Sequence, residues 1–366
     1  MDKNKIVIST SNALVGEQKK TPNMYRPTSR NEWWLCSVLF TQAILVIALE
    51  IYILVEWQLW VTPTITQVPV SYMVPINLGI LIFASVYEFI LALDAIHHKN
   101  NVLLFSICIC NICSFVYSVM QYTLMKENTT RLYANRYEFP TLVDTTRNVW
   151  PQIRPVEILV SVVTGLCSLL LCVFVYFLHR EYSWVIYKSV HGSSKTRMRY
   201  LFYEIFLVLI KLLFYFLLGF IIQYNLVYIH FEEPEYTLTM LLIPVAFIVM
   251  LLGIWVVQHE RTIGVVAIII CYLGLLAYLI SRIIILFGAK TAGKDMMLFF
   301  AFMSVVLTSG TILCTIVCIK NFDRGFIVIN NSKNGYAQES YSVPTGYSLT
   351  EPPRSFPRPS SRLTLD

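Results

Sequence analysis

The fold of this chain is decided by long apolar stretches, of which the first is residues 34–57, WLCSVLFTQAILVIALEIYILVEW. At 1.5 Å per residue, a helix of this length crosses a hydrocarbon core about 30 Å thick. Trp34 and Trp57 stand at its two ends, and tryptophan is enriched where a membrane meets water. The stretch therefore predicts a membrane-spanning helix.

Further stretches of the same length and character follow along the chain. Together with the first, they predict spans at 34–57, 72–95, 102–125, 156–178, 201–224, 238–258, 263–287 and 297–319. The sixth and seventh spans are the least separated, because only the short polar segment 258–262 divides them. The alternative is a seven-span chain in which these two are one.

The composition agrees with a membrane protein. Of the 366 residues, 56% are hydrophobic and 14% are charged, and the mean hydropathy is +0.62, whereas soluble domains carry about 25% charged residues. We predict an all-α, polytopic transmembrane helix bundle. Its segments are a cytosolic N-tail at 1–33, the transmembrane domain at 34–319 and a disordered cytosolic C-tail at 320–366, which is rich in Pro, Ser and Thr.

The distribution of Lys and Arg predicts the orientation in the membrane. If the N-terminus is cytosolic, 19 of the 28 Lys and Arg fall on the cytosolic side, 7 on the other side and two within spans. Cytosolic loops carry an excess of these residues, so both termini are predicted to be cytosolic. The net charge of +6 follows from this topology, and we expect no nucleic-acid partner.

Sequence motifs of known enzyme classes are absent from the chain. It contains no phosphate-binding glycine loop, no H-E-x-x-H pair and no G-x-S-x-G turn. Cys314 and Cys318 are one helical turn apart, but no His or acidic residue accompanies them at ligand spacing. We expect no catalytic residues, no metal and no cofactor.

One glycosylation motif lies in a loop that the charge distribution places outside the cytosol. Asn128-Thr129-Thr130 matches the acceptor pattern just after the third predicted span. Asn128 is therefore a candidate glycosylation site.

Ionisable side chains within the predicted spans are the candidate functional residues: Glu50, Glu88, Glu204, Lys211 and Arg282. A charge in hydrocarbon is costly and usually faces a partner inside the bundle. Depth along the helices pairs Lys211 with Glu88 or Glu204, and Arg282 with Glu50. Such pairs serve either helix packing or a proton or solute pathway.

The fifth predicted span and its entry have a distinctive sequence, RMRYLFYEIFLVLIKLLFYFLLGFIIQ at 197–223. This helix resembles the signature helix of a fungal family of multi-pass Golgi apparatus membrane proteins of unassigned function, uncharacterised protein family 0658. Glu260-Arg261, the segment 278–282 and the terminus 362–366 add to the resemblance. The resemblance implies Golgi residence and supplies no catalytic residues.

The resemblance favours a Golgi-resident, non-enzymatic protein of membrane organisation or trafficking. Beyond the lipid bilayer, its expected partners are anionic lipids or trafficking proteins at the basic loop 180–200 and the C-tail. The alternative is a secondary transporter that uses Glu88, Glu204 and Lys211, and helices broken at Pro75 or Pro244 would favour it. A seven-span receptor disagrees with the cytosolic N-terminus, and a membrane-embedded transferase disagrees with the missing catalytic set.

Overall fold

The computed structural model describes residues 29–61, 69–134, 143–144, 147–189, 194–229, 235–259, 261–288 and 293–320. These form eight helices, each long and apolar enough to cross a membrane: α1 Arg30–Trp60, α2 Pro69–His98, α3 Asn101–Ala134, α4 Trp150–Ser189, α5 Ser194–Gln223, α6 Glu235–Gln258, α7 Thr262–Gly288 and α8 Lys294–Ile319. A π-helical segment, Tyr224–Ile229, continues α5. The predicted polytopic helix bundle is confirmed. Residues 1–28 and 321–366, which hold most of both predicted tails, lie outside the described residues.

The break between the sixth and seventh spans separates two helices. Gln258 ends α6 and Thr262 begins α7. The guanidinium of Arg261 lies 5.7 Å from the centre of the Trp255 ring, and His259 Nδ1 lies 2.8 Å from the Trp255 carbonyl oxygen. These polar side chains contact the last turn of α6. Because α6 and α7 are separate helices, the seven-span alternative is wrong.

Polar residues at both ends of α1 contact α4 or the segment just before it. Ser29 and Glu32 form a reciprocal capping box that begins α1. The Ser29 hydroxyl also donates to Glu181 on α4, at 3.1 Å. At the other end, the Trp60 indole nitrogen donates to the Arg147 carbonyl oxygen at 2.9 Å, and Arg147 forms an ion pair with Glu56. The first span is therefore held at both membrane faces.

The helices form two rings of four in chain order. In the first half, α1 packs against α2 and α4, and α3 packs against the same two helices. In the second half, α5 packs against α6 and α8, and α7 packs against the same two helices. α5 also contacts α2 and α3 and so joins the halves. An even number of spans in each half returns the chain to the same side, so the halves run in parallel.

The loop after the third span is shorter than the sequence predicts. α3 continues to Ala134 instead of ending near 125, and α4 begins at Trp150 instead of 156. Glu127 and Arg131 form an (i, i+4) ion pair on the extension, a spacing that supports helix in water. Helical structure here extends past the apolar stretch that marks the membrane.

Candidate intramembrane polar site

The first half of the bundle has a polar interior built around Glu88 of α2. Asn111 Nδ2 and Ser114 Oγ of α3 each donate to this buried carboxyl at 2.6 Å. The same Asn111 amide donates to Gln42 of α1 at 3.0 Å, and its Oδ1 accepts from Ser168 of α4 at 2.6 Å. All four helices of this half therefore contribute to one network, the Glu88 cluster: Gln42, Glu88, Asn111, Ser114 and Ser168.

A second group of polar side chains surrounds Glu50 of α1. Gln121 Nε2 of α3 donates to both oxygens of the Glu50 carboxyl, at 3.1 and 3.2 Å. Glu157 of α4 lies near both of these groups and is 0% exposed. Within the described part of the chain, neither oxygen of Glu157 has a hydrogen-bond partner, and neither does Gln121 Oε1. Two carboxyls and an amide therefore share one buried region in which three oxygens lack a hydrogen-bond donor.

Lys211 of α5 forms an ion pair with Asp94 of α2, which is not one of its predicted partners. Its ammonium lies 2.5 Å from Asp94 Oδ2 of α2, so the predicted pairing with Glu88 or Glu204 is wrong. The Glu88 carboxyl is occupied by Asn111 and Ser114, and Asp94 lies six residues further along α2, about 9 Å along its axis. The Lys211–Asp94 pair joins α5 to α2. Glu204 lies buried on α5.

Arg282 of α7 is held by tyrosines. Its Nη1 donates to the Tyr224 hydroxyl at 3.1 Å, and its guanidinium carbon lies 5.3 Å and 5.2 Å from the ring centres of Tyr224 and Tyr278. Glu50 lies in the first half against Gln121, and the described residues contain no ion pair between it and Arg282. The predicted pairing is wrong because the two residues belong to different halves.

A cavity of about 590 Å³ lies in the second half, between α5, α6 and α7. Its walls are mostly aliphatic and include Leu213, Leu217, Leu242 and Leu275. Arg282 also lines it, and Glu50, Glu88, Glu204 and Lys211 do not. The cavity is therefore separate from the polar interior of the first half.

The candidate glycosylation site does not lie in a loop. Asn128 is within α3, its side chain is 2% exposed, and Nδ2, the atom that would carry the sugar, is buried. A glycan is bulky and needs a surface position. The folded helix has no room for one at Asn128.

Metal-ligating side chains do not converge in the part of the chain that the structure describes. No group of three or more His, Cys, Asp or Glu is close enough there to hold an ion. Cys314 and Cys318 of α8 carry free thiols.

Comparison with curated proteins shows which family the chain resembles. It is 26% identical over 270 residues to a UPF0658 Golgi apparatus membrane protein of Schizosaccharomyces pombe. The resemblance to uncharacterised protein family 0658 is confirmed. The match covers 69% of this chain and 76% of the relative. No family model matches the chain, and no solved structure matches it.

In this relative of the Golgi protein, the interior of the bundle also contains polar residues beyond the five predicted candidates. Asp94 and Glu157 stood at the edges of the predicted windows 72–95 and 156–178, while the helices extend beyond these limits. The neutral partners carry a signal in their spacing, because side chains three and four apart share a helix face. That spacing is seen at Asn111, Ser114, Ser118 and Gln121 on α3, and at Glu157, Ser161, Thr164 and Ser168 on α4.

Proposed function

We propose that this chain resides in the Golgi membrane and has a non-enzymatic role in membrane organisation or trafficking. The Golgi location is supported by the name of its S. pombe relative. The observation that carries the non-enzymatic role is the Glu88 cluster, in which polar groups of four helices bond to one another. Satisfied networks of this kind rigidify a bundle and fix its arrangement. A framework of this kind is suited to presenting its surfaces to lipids and other proteins.

The contacts of Glu88 and Lys211 give little support to the alternative of a secondary transporter that uses them. Glu88 is bonded to Asn111 and Ser114, and Lys211 is paired with Asp94. Pro75 and Pro244 lie inside α2 and α6, which continue through them. Transporter sites are typically formed where helices are interrupted near the middle of the membrane.

The proposed orientation has both termini in the cytosol. An even number of spans places both termini on the same side of the membrane, and the Lys and Arg distribution favours the cytosolic side. The basic segment 180–200, predicted as a loop, instead contains the end of α4 and the start of α5. In this orientation that segment and the C-tail would face anionic lipids or trafficking proteins. Protease added to sealed Golgi vesicles should remove an epitope from either end, and protection of either epitope would contradict this orientation.

Location and role are tested together in a fungal cell. The chain, tagged with a fluorescent protein at its C-terminus, should coincide with a Golgi marker, and a deletion strain should show altered secretion or altered glycosylation of secreted proteins. Signal confined to the plasma membrane or the vacuole would contradict Golgi residence. Normal secretion and glycosylation in the deletion strain would contradict the role.

A proton-coupled transporter is the second candidate, and the Glu50, Gln121 and Glu157 group favours it. A proton on Glu157 would supply a donor for Gln121 Oε1 in a region short of donors. Buried carboxyls that exchange protons are a feature of transport pathways. Glu157→Gln keeps the size and polarity but cannot exchange a proton. Full rescue of the deletion strain by this variant would contradict the transporter, and loss of rescue with normal abundance and location would favour it.

A further inference from the structure

The cavity in the second half has the dimensions of a lipid site. Its volume of about 590 Å³ lies within the range of small-molecule pockets, about 300–1,000 Å³. Along α7 it extends from Cys271 to Arg282, about 16 Å at the helical rise. Half of a hydrocarbon core about 30 Å thick is about 15 Å. The cavity is therefore about as long as one leaflet is thick, and it runs along the helices as an acyl chain would.

The cavity is continuous with the surface that faces lipid. Two of its lining side chains on α6, Leu238 and Val245, are 65% and 43% exposed. α6 and α7 are also the least buried spans, with 17% and 22% of their apolar windows inside the structure. A molecule dissolved in the bilayer can therefore enter between these helices without crossing water. This route favours a lipid over a soluble solute.

A fixed cation lies at one end of the cavity. Arg282 is six residues before Gly288, where α7 ends, which is about 9 Å along the axis. The rings of Tyr224 and Tyr278 position its guanidinium. Long basic side chains reach from this depth to the headgroup region, and the planar guanidinium suits the oxygens of a phosphate.

We propose that this cavity binds a glycerophospholipid with a negatively charged headgroup. One acyl chain occupies the apolar slot between α5, α6 and α7, and the phosphate lies against Arg282. The site goes beyond the proposed function, because it names a ligand that the Golgi role does not require. Binding at this site would also connect the proposed role in membrane organisation to one class of lipid.

The test uses the purified full-length chain in vesicles of phosphatidylcholine. Two probes carry the same photoreactive diazirine on an acyl chain: phosphatidylinositol, which is anionic, and phosphatidylcholine, which is zwitterionic. We expect phosphatidylinositol to label α5, α6 and α7 more strongly than phosphatidylcholine does. Equal labelling by the two probes would overturn the proposal, as would labelling by a photoreactive sterol in place of phosphatidylinositol.

Variants separate the headgroup contact from the slot. Arg282→Gln should lower labelling by phosphatidylinositol about tenfold, the effect of losing one hydrogen bond to a charged group, and Arg282→Lys should retain part of it. Gly274→Leu should abolish labelling of the slot by both probes, because a Cβ at Gly274 meets no atom within 4 Å and its side chain would extend into the cavity. The matched control is Gly79→Leu on α2, where a Cβ also meets nothing within 4 Å. Gly79 lies outside the cavity, so the Gly79→Leu variant should be labelled as strongly as the unaltered chain.

Unchanged phosphatidylinositol labelling in Arg282→Gln, or unchanged slot labelling in Gly274→Leu, would overturn the proposal. The folding of each variant is checked by gel filtration in detergent, where it should elute as a single species at the same volume as the unaltered chain. If Arg282→Gln is misfolded, Arg282→Lys and Gly274→Leu still decide the outcome. Because labelling is measured on purified protein, it does not depend on the location of the chain in the cell.

Discussion

Lys211 of α5 and Asp94 of α2 form an ion pair across the junction of the two halves, with 2.5 Å between Nζ and Oδ2. The contact is reinforced next to it by Tyr87 of α2, whose hydroxyl donates to the Lys211 carbonyl oxygen at 2.8 Å. The Tyr87 ring also stacks on Tyr215 of α5, with 5.4 Å between ring centres. This junction is where the two four-helix rings are held in register.

The pair predicts a specific rescue. Lys211→Met leaves Asp94 without its α5 partner and should lower the Tm of the detergent-solubilised chain. Asp94→Asn should restore part of the loss, with a coupling free energy of about 1 kcal/mol, because both side chains are partly exposed. A double-mutant cycle on Tm measures it. Glu88→Gln is the control, and rescue of Lys211→Met by Glu88→Gln would contradict the pairing with Asp94.

The spans could be predicted from the sequence, but the side-chain pairs between helices could not, and the reason is physical. Length and apolarity alone decide whether a helix crosses the membrane, and both are properties of a single stretch. A pairing depends also on the rotation of each helix and on which helices are neighbours. Depth alone selected Glu88 for Lys211 and Glu50 for Arg282, although Glu88 faces α3 and Arg282 lies in the other half of the bundle. The residue at the predicted span edge, Asp94, is the one that Lys211 reaches.

The Glu88 cluster predicts unequal effects for two buried serines of α3. Ser114→Ala removes a donor from the Glu88 carboxyl and should destabilise the chain by about 1–3 kcal/mol. Ser106→Ala is the matched control, because the Ser106 hydroxyl donates to the Val102 carbonyl oxygen of its own helix. Thermal unfolding in detergent distinguishes them. Equal losses in the two variants would mean that Ser114 does not support Glu88.

The burial of Asn128 predicts that the third span carries no glycan. Treatment of the chain from a fungal cell with an amide-cleaving glycosidase should leave its electrophoretic mobility unchanged. Asn128→Gln should migrate with the unaltered chain. If both the enzyme and Asn128→Gln shift the mobility, Asn128 carries a glycan, and the end of α3 must be accessible to the glycosylation enzyme before the chain folds.

The contact between α5 and α8 predicts a clash at Gly219. A Cβ built on this residue would lie 2.7 Å from Cε1 of Phe300, a buried ring that also packs against Tyr117 of α3, with 5.4 Å between ring centres. Because the ring is enclosed, Gly219→Ala should force α5 and α8 apart and cost about 1–3 kcal/mol. The measurement is the Tm of the solubilised chain.

Gly310→Ala on α8 is the matched control for Gly219→Ala. There an added Cβ would make an ordinary contact, 3.6 Å from Leu209 Cδ1, and alanine favours helix over glycine by up to about 1 kcal/mol. We therefore expect opposite signs, a lower Tm for Gly219→Ala and an equal or higher Tm for Gly310→Ala. In a Phe300→Leu background the cost of Gly219→Ala should shrink, because the ring that causes the clash is gone. A loss of the same size with and without the ring would show that Gly219 is required for another reason.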